Sequence, residues 1–185
     1  MYYVVKYTGP FGFIKPWTAV RDAETFSQQF LTPSIIEGLR QKLEVTAIVR
    51  HKLTYTSIDL QQEVIQAKAC QEKIKSRFIR KRSILKRGVM INPSLYLAFT
   101  RLSDAKKAIQ QHLCLCRNED ILLPEKEIIE YSENDFNQLD GYELRFGHSK
   151  KSFLVGYNRF ENNSEMYGWI DIVGNPIQMP QYSYE

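Results

Sequence analysis

Between Lys68 and Arg87 the chain reads KACQEKIKSRFIRKRSILKR, a segment with nine Lys or Arg and one acid, Glu72. Such a run cannot lie inside a core, because each buried charge without a partner loses several kcal/mol of hydration. The chain must build its interior from the flanking segments and carry this one outside. Ile74, Phe78, Ile79, Ile84 and Leu85 are threaded through the run, so it is expected to be anchored rather than loose. Nine cations less one anion make the segment +8, against +4 for the whole chain, which leaves the remainder at −4. Positive charge gathered on one segment of a near-neutral body is the footprint of a polyphosphate partner, above all nucleic acid.

The flanks supply the elements of a mixed fold. Tyr2 to Thr8 alternates aromatic and β-branched residues as a strand does. At Thr32-Pro33-Ser34 a helix starts, with Thr32 as cap and Pro33 in the first position; Ile35, Ile36, Leu39 and Leu43 form its apolar stripe. Gly38 costs about 1 kcal/mol in mid-helix relative to alanine, which suggests that another backbone approaches there. Val45 to Ile58 reads as a second strand, with His51 and Tyr55 on one face and Lys52 on the other. Residues from about 58 to 82 then leave the body as a hairpin or a helical arm, and periodicity does not decide which. Ser83 to Thr100 returns as strand, interrupted at Asn92-Pro93. Ser103 caps a second helix with Ala105, Ala108, Ile109 and Leu113 as its stripe. Ile121 to Tyr131 is a short extended piece broken by Pro124, and three further strands follow within 141–146, 153–160 and 167–173.

This order, β-α-β-insert-β-α-β and then more strand, predicts an α+β fold on the ferredoxin-like, RRM-type plan. A basic arm, or thumb, projects from it at about 58–82, and a small C-terminal β region occupies about 116–185. At 185 residues the whole chain, 1–185, is expected to be one domain. No apolar run reaches the roughly 20 residues that span a bilayer. The N-terminus reads as strand rather than signal peptide. Three cysteines are too few for a disulfide scaffold. Cytoplasm, with no membrane partner, is the expected setting.

Rings and cations able to stack on bases and pair with phosphates occur in two places. One is the irregular segment after β-strand one, with Phe13, Lys15, Trp17 and Arg21; there Phe13 and Trp17 serve equally well as plugs of the core edge. The other is the basic run, with Arg77, Phe78, Arg80, Lys81, Arg82, Lys86 and Arg87. No P-loop, nucleophile elbow, HExxH or CxxC pair is present. Cys114 and Cys116 are separated by one residue, with Cys70 remote, which is a poor zinc pattern, and they are expected as buried thiols, not zinc ligands. His51, Lys52 and Tyr55 contain the parts of a metal-independent ribonuclease. Strand alternation sends His51 and Lys52 to opposite faces, so the expectation is no catalytic residue, no metal and no cofactor.

The order of motifs resembles the Cas-five family, the CRISPR-associated subunit that caps the 5′ handle of the crRNA in type I Cascade complexes. The motifs are Gly9-Pro10-Phe11-Gly12-Phe13 after the first strand, Thr32-Pro33-Ser34 at the first helix, the strand IVRHKLTY, and the block RKRSILKRGVMINPSLYLAF. They cover about residues 1–115. The resemblance implies an RRM-like domain whose thumb grips the handle, with crRNA and the backbone and large Cascade subunits as partners and target DNA met only through the guide. One branch of the family also processes pre-crRNA, with a tyrosine at the first helix and a later lysine–histidine pair. Here the helix end RQKLEV has no tyrosine, and the only adjacent His–Lys pair, His51-Lys52, lies early, in the second strand, rather than later in the chain. Binding without cleavage is therefore the implied function. The alternatives are a metal-independent endoribonuclease that processes pre-crRNA and a stand-alone RRM-like RNA binder.

Overall fold

The computed structural model describes residues 1–16, 24–66, 72–74, 77–79, 82–159 and 161–178. Strands β1 (Tyr2–Thr8), β2 (Phe11–Gly12) and β3 (Glu24–Phe26) precede helix α1 (Pro33–Leu43). Then come β4 (Arg50–Thr54), β5 (Ser57–Gln66), β6 (Glu72–Ile74), β7 (Arg77–Ile79), β8 (Arg82–Ile91) and β9 (Ser94–Phe99). Helix α2 (Leu102–Ala108), β10 (Leu113–Cys114), β11 (Ile121–Tyr131), helix α3 (Glu133–Gln138), β12 (Gly141–Phe146), β13 (Phe153–Asn158) and β14 (Ser164–Val173) complete the order. The fold is α+β.

The main sheet has eight strands in the order β10-β11-β1-β9-β4-β12-β14-β13, and every neighbouring pair is antiparallel. Helices α1 and α2 cover one face. Leu39 and Leu43 of α1 and Ala105 and Ala108 of α2 meet Val5, Tyr7, Leu53, Leu97 and Phe99 there. The Tyr7 hydroxyl donates to the Ala108 carbonyl at 2.6 Å, which ties α2 to β1. On the opposite face Phe136 of α3 packs with Val4 and Ala98.

Helix α1 forms as its sequence dictates: the Thr32 side chain accepts from the Ile35 N–H, Pro33 opens the helix, and Glu44 closes it in the left-handed region at φ 54°. Nothing approaches Gly38, where a Cβ would find open space. Helix α2 departs from expectation. It starts at Leu102 with Arg101 in the cap position and no side-chain cap, so Ser103 lies inside it; Leu113 lies beyond it in β10. Helix α3 was not anticipated, although Ser132 and Asp135 form a reciprocal capping box at its start.

The expected second strand, 45–58, is divided. Only Arg50–Thr54 joins the main sheet, and all five of its residues are buried because helices cover both faces. The chain then turns into β5, which pairs with β8 from Ser57↔Ile91 out to Gln66↔Arg82. The excursion is thus a hairpin, longer than the expected 58–82 by the whole of its return strand. Asn92, at φ 47°, makes the turn from β8 back into β9. Pro124 does not break β11: the register shifts between Val5 and Tyr7 of β1, and the strand runs on past the bulge. The C-terminal strands are no separate region, since β12 pairs with β4 and β11 with β1 in the same sheet. Among the described residues no helix is long and apolar enough to cross a membrane.

Candidate nucleic-acid interface

The β5–β8 hairpin has two faces set by the pleat, because residues opposite one another in an antiparallel pair point the same way. Odd-numbered positions pair Gln61 with Arg87 and Glu63 with Leu85; even-numbered ones pair Leu60 with Gly88, Gln62 with Lys86 and Val64 with Ile84. On the side of β8 away from β5, β2 lies antiparallel near the base and β3 lies parallel farther along. Towards the tip, β6 and β7 form a small hairpin of their own, Glu72↔Ile79 to Ile74↔Arg77.

The odd face is turned toward the body and held by an ionic network. Arg117, from the loop after β10, donates through Nη1 to Glu63 at 2.8 Å, through Nη2 to Gln61 at 3.3 Å, and through Nη2 and Nε to Asp120 at 2.7 and 3.0 Å. Arg87 Nε donates to the other Glu63 oxygen at 3.0 Å. Burial favours the neutral form of Glu63, but the hydrogen bonds from Arg87 and Arg117 outweigh it and hold the carboxyl below its ordinary value. The hydrogen bonds to Asp120 raise Arg117 further above its already high range, so it is charged throughout. The guanidinium carbons of Arg87 and Arg117 lie 5.3 and 5.8 Å from the centre of the Phe13 ring.

Two expected binding residues are therefore engaged internally. Phe13 is 1% exposed and is a core plug covered by two cations, so it does not present a ring to a base. Arg87 spends its charge on Glu63 and Phe13 and does not stand free for phosphate. Arg117 and Glu63, which fix the hairpin to the body, drew no notice in the sequence because 54 residues separate them.

Beyond the base, where the pair Ile58 and Met90 enters the core, the even face is turned outward. Leu60, Val64, Ile84 and Phe26 are 48, 66, 55 and 50% exposed, and Phe26 lies so close over Gly88 that no side chain fits there. Among these apolar groups stand Arg82, exposed, and Lys86, whose Nζ is 3.7 Å from Glu24. Both partners of that pair are about half exposed, so its worth is small and Lys86 is available to a stronger anion. Lys15 is also exposed. Arg77 and Phe78 lie on β7, near the tip. Trp17, Arg21, Arg80 and Lys81 fall outside the described residues.

His51, Lys52 and Tyr55 are 1, 0 and 2% exposed. His51 Nε2 accepts from the backbone N–H groups of Leu31 at 3.1 Å and Leu144 at 3.3 Å, which makes it a buried link between the helix entry, β4 and β12. The Tyr55 hydroxyl accepts from Gln29 at 2.7 Å. On the other side of β4, Arg50 donates to Glu143 through both Nε and Nη2, the latter at 2.7 Å, and to Asn137 at 3.0 Å. Lys52 Nζ lies 3.9 Å from the same carboxylate and has no hydrogen-bond partner among the described residues. Burial pushes the Lys52 ammonium down from its usual value, and the Glu143 charge only partly opposes this. Because Glu143 keeps its bidentate arginine, Lys52→Met is expected to raise stability by about 1 kcal/mol in urea unfolding; a loss would show that the ammonium is needed there.

Cys114 is half-buried and Cys116 exposed, contrary to the expected buried thiols. Among the described residues no cluster of three or more His, Cys, Asp or Glu is placed to hold a metal ion. No model of a known protein family matches the chain, and no curated protein sequence matches it either.

Proposed function

We propose that this chain is a non-catalytic RNA-binding subunit of the Cas-five type, an RRM-like body whose projecting hairpin grips the 5′ handle of a crRNA in a Cascade-like complex. The observation that carries this reading is where the hairpin leaves the fold. Among the strands of the β-α-β-β-α-β core, β11-β1-β9-β4 is the fourth-first-third-second order of a ferredoxin-like sheet, and β5–β8 departs between the second and third of these strands. That is the place a thumb takes in the family the sequence resembles, and the basic run occupies its outer half.

The odd-face network holds the base of the hairpin to the body, while the even face offers Arg82 and Lys86 among apolar groups. Arg77 adds charge on β7, and Arg80, Lys81, Phe78, Trp17, Lys15 and Arg21 complete the proposed set; Phe13 and Arg87 act beneath it as supports. Phosphates take the cations and splayed bases the exposed apolar surface. His51, Lys52 and Tyr55 receive no chemical role, being groups buried in the core. The backbone and large subunits are the proposed neighbours, and target DNA is reached only through the guide.

The test is binding of a labelled handle RNA across a salt series. Removal of Arg80, Lys81 and Arg82 together by alanine is expected to flatten the log–log slope by about 2, since each single-strand phosphate contact contributes about 0.7. An unchanged slope would mean that the run is only a solvated surface. Cleavage of a labelled repeat RNA in EDTA would replace this reading with the processing nuclease. Co-purified RNA with mixed 5′ ends would instead favour a stand-alone RNA binder.

A further inference from the structure

An exposed phenylalanine is common and by itself means little. Phe26 is set apart by how firmly its surroundings are held. The next residue, Ser27, is 6% exposed, and its N–H donates to the Gly88 carbonyl at 2.7 Å. Its hydroxyl accepts from the Ile14 N–H and donates to the Gln28 carbonyl, both at 2.9 Å. The Gln28 N–H in turn donates to the Ile14 carbonyl at 2.9 Å. The end of β3 is thus fastened both to β8 and to the segment after β2, and the Phe26 ring stands out from a fixed backbone. A group held in place before binding loses little entropy when it binds.

Beneath the ring the sequence has removed the side chain. Gly88 pairs with Leu60 of β5 on one side and with Phe26 of β3 on the other. Its backbone is not in the left-handed region, so the turn chemistry that usually explains a glycine does not apply. What requires it is the Phe26 ring, which occupies the space a Cβ would need. One side of the ring rests on the glycine, and at 50% exposure the other side is open to solvent. Among the described side chains of this outward face Phe26 is the one aromatic. Leu60, Val64 and Ile84 offer apolar area but no flat π surface for a base.

The cations stand in step with the ring. Along β8 the outward positions run from Gly88, under the ring, to Lys86, Ile84 and Arg82, with about 7 Å between successive ones. One nucleotide spans such a step, its base over the ring and its phosphate at Lys86. Glu24, 3.7 Å from Lys86, forms a pair exposed at both ends, from which a phosphate can draw the ammonium.

We propose that Phe26 is the base-stacking residue of the hairpin, and that the hairpin consequently takes unpaired bases of a single strand in preference to a duplex. This deepens the RNA reading of the same site and rests on it. Inside a duplex each base is covered on both faces by its neighbours, so a ring on the protein surface has nothing to stack on; a single strand splays its bases and offers their faces.

The experiment measures, at low salt, the fluorescence anisotropy of a labelled oligoriboadenylate and of an abasic oligomer of equal length, which keeps the phosphates and lacks the rings. Phe26→Leu still covers Gly88 with an apolar group, so parent-like melting is expected and is checked first. The expected result is about tenfold weaker binding of the oligoriboadenylate by Phe26→Leu than by the parent. The two proteins should bind the abasic oligomer equally, and their salt slopes should match, because stacking releases no counterions. Phe26→Trp supplies a reading that does not depend on the leucine variant: its added indole should be quenched by the oligoriboadenylate and not by the abasic oligomer. Equal binding of the oligoriboadenylate by parent and Phe26→Leu, an equal loss on both probes, or an indole that responds alike to both would overturn the proposal and leave the RNA reading standing. A parent that binds neither probe would overturn the RNA reading, and this proposal with it.

Discussion

His51→Ala is expected to destabilise the protein by about 4 kcal/mol and to lower its melting temperature by roughly 10 °C. The alanine would strand two buried N–H donors, those of Leu31 and Leu144, that share His51 Nε2 as acceptor. Each orphaned donor costs about 1–3 kcal/mol, and the vacated ring volume adds a cavity. The same residue predicts a pH dependence. Burial, reinforced by the charges of Arg50 and Lys52, depresses the imidazole to about 3, while in the unfolded chain it titrates near 6.5. Below that value the unfolded state takes up a proton that the native state refuses. The stabilisation is complete above about 6.5 and declines as pH falls toward 3, by about 1.4 kcal/mol per pH unit. Urea titrations between neutral pH and about 5 should show this decline in the parent. His51→Gln, which keeps a side-chain acceptor and removes the titration, should flatten it; a slope that persists in the glutamine variant would refute the assignment.

Arg117→Ala should cost about 3 kcal/mol, because it leaves Asp120 ionised and buried without its cation and strips Glu63 of one of its two. Asp120 is 0% and Arg117 14% exposed, so solvent cannot replace the lost partner as it would at a surface pair. The network is shared, and the effects should not add. In a double-mutant cycle with Asp120→Asn, the pair should lose at least about 1 kcal/mol less than the sum of the single variants. Simple additivity would show that the network contributes little to holding the hairpin. Because Arg117 sits at the hairpin's base, the same variant should also speed amide exchange across β5 and β8 while β1 and β9 remain protected until global unfolding.

Much of the architecture was readable from local rules. The Thr32-Pro33 start of α1, the turn at Asn92-Pro93 and the three C-terminal strands follow from capping, φ restriction and alternation, which act over a few residues. The capping box at Ser132 was equally local, yet the acids around it drew attention to charge and hid the helix. The division of 45–58 was not readable, because β4 is buried on both faces and has lost the alternation that marks a strand with one wet side. Pro124 misled for a related reason: proline is expected to break a strand, and here a bulge accommodates it.

The candidate site divides along the same line. That the basic run must lie outside the core follows from composition alone, since no interior could hold nine cations against one acid. The pleat then separates its residues into alternating sets, and this too is implicit in the sequence once it is known to be strand. Which set faces the body was decided only when Arg117, far along the chain, met Glu63 and Arg87 and covered Phe13. Charge counts fix how much positive potential the chain carries. Long-range ion pairing, which local sequence cannot encode, decides which of those cations remain for a partner.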